Sequence, residues 1–238
     1  MEFVIDFARV RKILADEAAL AGKEIREQGV LSAYRNSLLR HDARLAQADD
    51  ADTLACRAGC SWCCHFSVDV RPVEAFNIVE FMKVNFTPAE RQQLQARIEA
   101  NARIMSSLDE IQRMQLNIPC PFLCEDRCSI YDARPQTCRN YHATDASGCR
   151  QSYEEPDNFD IAPEYAPQVY QAGGAHVDAF CKAMQNAGYD IAAYELNTAL
   201  NAALLQPEAT RQRFETKSVP FEGLDGTEVP MEFIDIDE

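Results

Sequence analysis

The chain has 238 residues, 47% of them hydrophobic, enough to bury one sizeable core. Asp and Glu number 38 against 23 Lys and Arg, a formal charge of −15. That surplus repels phosphate backbones and anionic lipid headgroups, so neither nucleic acid nor an acidic membrane surface is an expected partner.

The opening MEFVIDFARVRKILADEAAL has no cationic start, no unbroken apolar run and no small-residue cleavage site, so it does not read as a signal peptide. Charges interrupt every apolar segment before it reaches the length of a membrane span. The expected location is the cytoplasm. In that reducing compartment ten cysteines read as metal ligands or redox groups rather than disulfides.

Helical spacing of Phe3, Phe7, Val10 and Leu14, then of Leu31, Tyr34 and Leu38, predicts a helical hairpin over 3–48, punctuated at Gly29. Residues 72–84 also read as helix. Thr87-Pro88-Ala89-Glu90 is a capping box with proline in the first turn, and Leu94, Ile98, Met105, Leu108 and Ile111 supply the apolar stripe of the helix it starts. Residues 117–150 are irregular, and 151–170 form an acidic surface connection. Helix returns from Ala175 through Phe180, Met184 and Ala187, then Tyr194, Leu196, Leu200 and Leu204, before Pro207. From Glu222 onward the chain has seven acidic groups and no basic one, which predicts a mainly solvated tail, although Phe233 and Ile234 offer a docking point.

Two cysteine-rich segments carry the chemistry. The first reads Cys56-Arg-Ala-Gly-Cys60-Ser-Trp-Cys63-Cys64-His65, with Gly59 permitting a tight turn. Soft thiolates at these spacings suit zinc, copper(I) or iron–sulfur clusters rather than magnesium or calcium. The second holds Cys120, Cys124, Cys128, Cys138 and, further on, Cys149. One centre takes about four protein ligands, so the chain has enough thiols for two. Arg57, Arg127, Arg134, Arg139 and Arg150 stand beside these cysteines. For Arg134 and Arg139, offsetting thiolate charge and pairing elsewhere on an acidic chain are equal readings.

Together the segments resemble the YkgJ-like cysteine-cluster proteins, a family described as zinc- or iron-chelating. The pattern C-x3-C-x2-C-C is met by Cys56, Cys60, Cys63 and Cys64. Its distant half is met by Cys120-Pro121-Phe122-Leu123, Cys128-Ser129-Ile130-Tyr131, Arg134-Pro135 and Cys138-Arg139-Asn140-Tyr141. The resemblance spans about residues 55–150. It implies Cys56, Cys60, Cys63, Cys64, Cys120, Cys128 and Cys138 as ligands, with Cys149 as an eighth. Cys124 looks like an addition of this chain. Cys181, between Phe180 and Met184, reads as a buried thiol. A related cluster in flagellin lysine methylases looks like an iron–sulfur site, which implies iron without implying methylation.

Cys56-x3-Cys60-x-Trp62-Cys63 also satisfies the radical-SAM spacing, but the helical reading before Cys56 and the extra Cys64 depart from it. A structural zinc module without catalysis is the other alternative. His65 and His142 read as neighbours of the ligands, Trp62, Tyr131 and Tyr141 as packing around the centre, and Glu74 as a helix-start charge. His41 and His176 lie in helical contexts. No hydrolytic triad, phosphate loop or nucleotide fingerprint is present, so catalysis is left unassigned.

The expected fold is mainly α: a helical domain whose two cysteine-rich irregular segments converge on a metal centre. Residues 1–54 supply N-terminal helices, 55–150 the metal-binding region, 151–213 C-terminal helices and 214–238 an acidic tail. The expected cofactor is an iron–sulfur cluster, [4Fe–4S] by ligand number, or zinc, in one or two centres. A protein partner is left open.

Overall fold

A computed structural model describes residues 5–161 and 163–234. Ten α-helices carry most of them, and the strands among them are two-residue pieces. The chain is therefore mainly helical, as expected. A βα barrel is absent among the described residues, so the radical-SAM reading, which needs one, is set aside.

The predicted hairpin is α1 (Phe7–Gln28) and α2 (Val30–Ala46), broken at Gly29 with φ 83°. Phe3 lies outside the described residues. The inward face of α1 is Val10, Ile13, Glu17, Ala21 and Ile25, while Phe7 is 46% exposed. A count of apolar positions passes over this face because Glu17 lies in its middle. Leu31, Tyr34 and Leu38 of α2 are buried as expected.

Next come α3 (Pro72–Asn85) and α4 (Pro88–Met105). The capping box forms: Thr87 Oγ1 accepts from the Glu90 N–H at 3.3 Å, and Glu90 Oε2 accepts from the Thr87 N–H at 2.7 Å. The helix does not run through to Ile111. Asp109 and Gln112 form a second capping box that starts a separate short helix, α5 (Glu110–Met114), on which Ile111 is 61% exposed.

The segment expected to be irregular contains α6 (Gln136–Asn140) and α7 (Ala146–Glu154). Then follows α8 (Pro167–Asn186), which starts ahead of the expected Ala175 and holds Gly173 and Gly174 inside it. The last helices are α9 (Leu196–Leu205) and α10 (Pro207–Glu215). Pro207 begins a helix rather than closing one, since the first turn needs no proline N–H.

The main core joins α2, α3, α4, α8, α9 and α10 through Tyr34, Ile78, Ile98, Phe180, Leu200 and Phe214. Cys120 and Cys128 pack on its edge, which roots the cysteine-rich region in the fold. A smaller cluster joins α1 to α8 through Val10, Ile13, Ala172 and Ala175, and it includes Phe233. Phe233 is 6% exposed, lies over Gly174, and its N–H donates to Asp178 Oδ2 at 2.8 Å. The tail is thus tied down at Phe221 and Phe233, and the expectation of a mainly solvated tail holds only between such points. No helix among the described residues is long and apolar enough to cross a membrane.

Two buried polar groups organise the packing. Glu74, on α3, receives the Arg71 N–H at 2.7 Å, the Gln136 N–H at 2.8 Å and the Tyr34 hydroxyl at 3.2 Å. It is more than a helix-start charge, because it also seats the first residue of α6. Between α1, α2 and α8, His176 Nε2 donates to Ser37 Oγ at 2.9 Å, and Ser37 donates to Glu17 Oε1 at 2.8 Å. The Arg44 guanidinium faces His176 Nδ1, which fixes the neutral ring. His41 stacks on His176 with centroids 4.7 Å apart.

Glu74→Ala strands three donors, two of them buried main-chain N–H groups, so it should cost about 3 kcal/mol and lower Tm by roughly 6–12 °C. An unchanged melting temperature would contradict the role given to Glu74. Burial pushes the His41 imidazole down to about 4, and burial together with His41 and the nearby arginines pushes His176 well down. The unfolded chain, with imidazoles near 6.5, then takes up protons that the native state refuses. Stability is complete above about pH 6.5 and falls as pH drops toward 4, by up to about 3 kcal/mol from His41. Denaturant midpoints should already decline between pH 6.5 and 5, before most carboxylates titrate, and His41→Gln should flatten the slope. A midpoint constant over that interval would contradict it.

Candidate metal centre

The first cysteine segment is a chain of tight turns. The Ala55 N–H donates to Ala143 O at 2.8 Å, which sets Cys56 beside the approach to α7. Gly59 has φ 91°, a conformation other residues avoid, and lets the Cys60 N–H fold back on Arg57 O at 3.0 Å. Trp62–His65 is a single 3-10 turn. The chain then pairs with the second segment: the Ile118 N–H donates to His65 O at 3.0 Å and the Cys120 N–H to Cys64 O at 2.7 Å. This pairing, between residues far apart in sequence, brings Cys120 next to Cys64.

From Cys120 a two-residue hairpin follows, with Leu123 opposite Cys128 and Cys124 opposite Arg127. Its turn residues Glu125 and Asp126 have φ of 48° and 57°, as a type I′ turn requires. Ser61 Oγ donates to Asp126 Oδ1 at 2.9 Å and stitches the hairpin tip to the first segment. Thr137 Oγ1 donates to Asp69 O at 3.2 Å, and Glu74 holds Gln136, so α6 presents Cys138 from a fixed start. Tyr153 on α7 meets Trp62 and His65, with ring centroids 5.3 and 4.9 Å away, and carries Cys149 to the first segment.

These contacts enclose a cavity of about 480 Å³. Cys56, Cys60, Cys63, Cys64, Cys120, Cys128 and Cys138 all line it, with apolar walls that include Phe66, Val68, Met105, Phe122 and Leu196. Arg57, Arg127 and Arg134 also line it. Arg134 stacks over the Tyr131 ring, 4.1 Å from its centroid, and Tyr131 is 58% exposed beside the cavity rather than sealing it. Tyr141 lines the cavity as expected, whereas Trp62 packs outside on Tyr153.

Cys149 is buried behind this wall rather than on it. Its electrostatic neighbours are Cys56, Cys63 and Cys60. Those of Cys138 are Cys120, Cys63 and Cys128. Cys124 is exposed on the hairpin and Cys181 is buried on α8, both away from the cavity lining. His65 Nδ1 bonds to Ser61 O and His142 Nδ1 to Asn140 O, and neither ring lines the cavity. Arg139 is clamped to Asp42, Asp132 O and Arg134 O. Both readings apply to Arg139: it is paired, and its charge also acts to lower the Cys128 thiol. Arg134 is close enough to hold down the Cys128 thiol against the upward effect of burial.

All ten cysteines are free. Burial pushes the Cys120 thiol up to about 12 and the Cys149 thiol up to about 11, and it raises Cys60, Cys128 and Cys138 as well. For Cys63 the hydrogen bond with Cys64 raises the thiol most, followed by burial. Each of these six thiols is therefore held toward its protonated form unless a cation is present; bound to one it deprotonates outright. Among the described residues no three His, Cys, Asp or Glu side chains are gathered into a set that could hold a metal ion. The expectation that both segments converge on a metal centre is corrected in this respect. They share one cavity, but among the described residues the side chains there are not gathered at a common point. The donor set still fits a soft metal, since the thiols outnumber every other ligand type at the cavity.

Residues 55–167 match the family model described as CxxCxxCC, "Putative zinc- or iron-chelating domain". No curated protein and no solved structure matches the chain. The matched stretch contains all the cavity cysteines and Cys149, and it leaves out α1, α2, α9, α10 and nearly all of α8. The match supports chelation of zinc or iron, and the metal is the expected ligand. Residues 55–167, a little under half of the chain, are thus similar to the CxxCxxCC cysteine-cluster family.

Proposed function

We propose that this protein holds two iron–sulfur clusters, each on four cysteines, and serves redox chemistry or metal handling in the reducing cytoplasm. The observation that carries this reading is the 480 Å³ cavity lined by seven thiols, with an eighth behind the wall. A single ion needs little more room than a water molecule, whose share of liquid is about 30 Å³. A zinc site that merely ties two loops has no use for such a space.

Cys56, Cys60, Cys63 and Cys149 are assigned to one centre, and Cys64, Cys120, Cys128 and Cys138 to the other. Support comes from the Tyr153 contacts that carry α7 onto the first segment and from the Cys64–Cys120 backbone pairing. Cys63 and Cys64, adjacent in the chain, go one to each set. A bound cluster would supply one-electron chemistry. The chain's own part is to hold the thiolates, offset their charge through Arg134, and limit water with Phe66, Phe122 and Tyr141.

Anaerobically purified protein should be brown and contain about eight iron and eight acid-labile sulfide per chain. Cys149→Ser and Cys138→Ser should each lose about half, and the double variant nearly all. Colourless protein with zinc as its metal would overturn iron–sulfur in favour of the structural zinc module. Loss of every metal atom from either single variant would overturn the division into two sets.

Metal release should also loosen the fold, because two distant loops are joined around the cavity by three backbone hydrogen bonds and a few side-chain contacts. Chelation is expected to lower Tm by about 10 °C or more. A melting curve that does not move when metal is lost would contradict this coupling.

A further inference from the structure

The segment that carries Cys138 ends in Arg139-Asn140, and both residues are gripped from outside the matched domain. Arg139 pairs with Asp42 of α2. Asn140 Oδ1 accepts from His41 Nε2, the preceding residue of α2, at 2.7 Å. On the opposite side α8 presents Gly173, where a Cβ would overlap the Asn140 carboxamide oxygen and lie 3.0 Å from its Cγ and 3.1 Å from Leu45 Cδ2. Asn140 is thus threaded between two helices, and only glycine at 173 admits it. His41 is fully buried and stacked on His176, so it cannot swing away to follow a displaced Asn140.

From this we infer that His41, Asp42 and Gly173 form a seat that sets the position of Cys138, so that flanking helices α2 and α8 control occupancy of one metal centre. His41 and Gly173 are positioning residues: neither lines the cavity, and they act through Asn140, two residues from the thiol. The neighbouring glycine provides an internal contrast. Gly174 has Phe233 of the tail against it, where a Cβ would overlap the ring's Cε2 and lie 2.8 Å from its Cδ2, and the atoms it would meet belong to Phe233 rather than to Asn140. A methyl group at 173 or at 174 disturbs the same helix, but only the first disturbs the seat.

The inference rests on the reading that Cys138 is a ligand. The test is metal and sulfide content of the full chain, purified anaerobically, alongside far-ultraviolet circular dichroism and thermal melting. Gly173→Ala should lose the same share of metal as Cys138→Ser, about half, while helix content is retained. Gly174→Ala should melt earlier yet keep its full metal complement. His41→Ala should lose the same share as Gly173→Ala, and His41→Gln, which can still donate to Asn140, should restore it. If Gly173→Ala does not fold, the His41 pair alone decides. Equal metal loss in Gly173→Ala and Gly174→Ala, or no recovery with His41→Gln, would reduce the seat to general packing and overturn the inference. If Cys138→Ser itself keeps all its metal, the ligand assignment has failed instead.

Discussion

A thiol set into an apolar wall cannot hold a charge alone, and this constraint governs the cysteine-rich region. Burial raises Cys60, Cys120, Cys128, Cys138 and Cys149 together, so removing protons from them requires a cation among them. The same walls that raise the thiols are formed by Phe122, Ile130 and Leu196, which belong to or border the main core. Site and core are therefore one packing problem. Arg134 at the cavity acts in the opposite direction, favouring thiolate at Cys128 and Cys138.

The helices outside the family match are joined to this region through buried polar groups rather than through apolar contact alone. Glu74 binds a main-chain N–H of α6, and Arg139 and Asn140 at the other end of α6 bind Asp42 and His41. A five-residue helix has almost no stability of its own. Its position is set by these ends, which is why a short element can present a cysteine from a defined place. The His41–His176 stack and the Ser37–Glu17–Arg40–Arg44 network extend the same support to the α1–α2–α8 packing.

Local signals were the legible ones. Thr87-Pro88-Ala89-Glu90 caps a helix through contacts three residues apart, and Gly29 breaks one through its own backbone, so each is readable without knowing the fold. The cysteine motifs were legible for the same reason, as spacing within single segments. What escaped was decided by distant partners. Glu17 is buried because Ser37, Arg40 and Arg44 meet it, and His41 matters because Asn140 arrives from far along the chain. Gly173 and Gly174, just ahead of the expected helix start at Ala175, are close-approach positions inside α8. Phe233 docks because Gly174 leaves room for its ring and Asp178 accepts its N–H.

The central claim is that cysteine thiolates alone hold metal at this cavity, with His65 and His142 outside the ligand set. X-ray absorption at the metal edge of anaerobically purified protein tests it most directly. The expected result is a first shell of about four sulfur atoms per metal near ~2.3 Å, with no nitrogen or oxygen shell. A shell of nitrogen or oxygen at about 2.0–2.1 Å would contradict it, since only a histidine, a carboxylate or water could supply one.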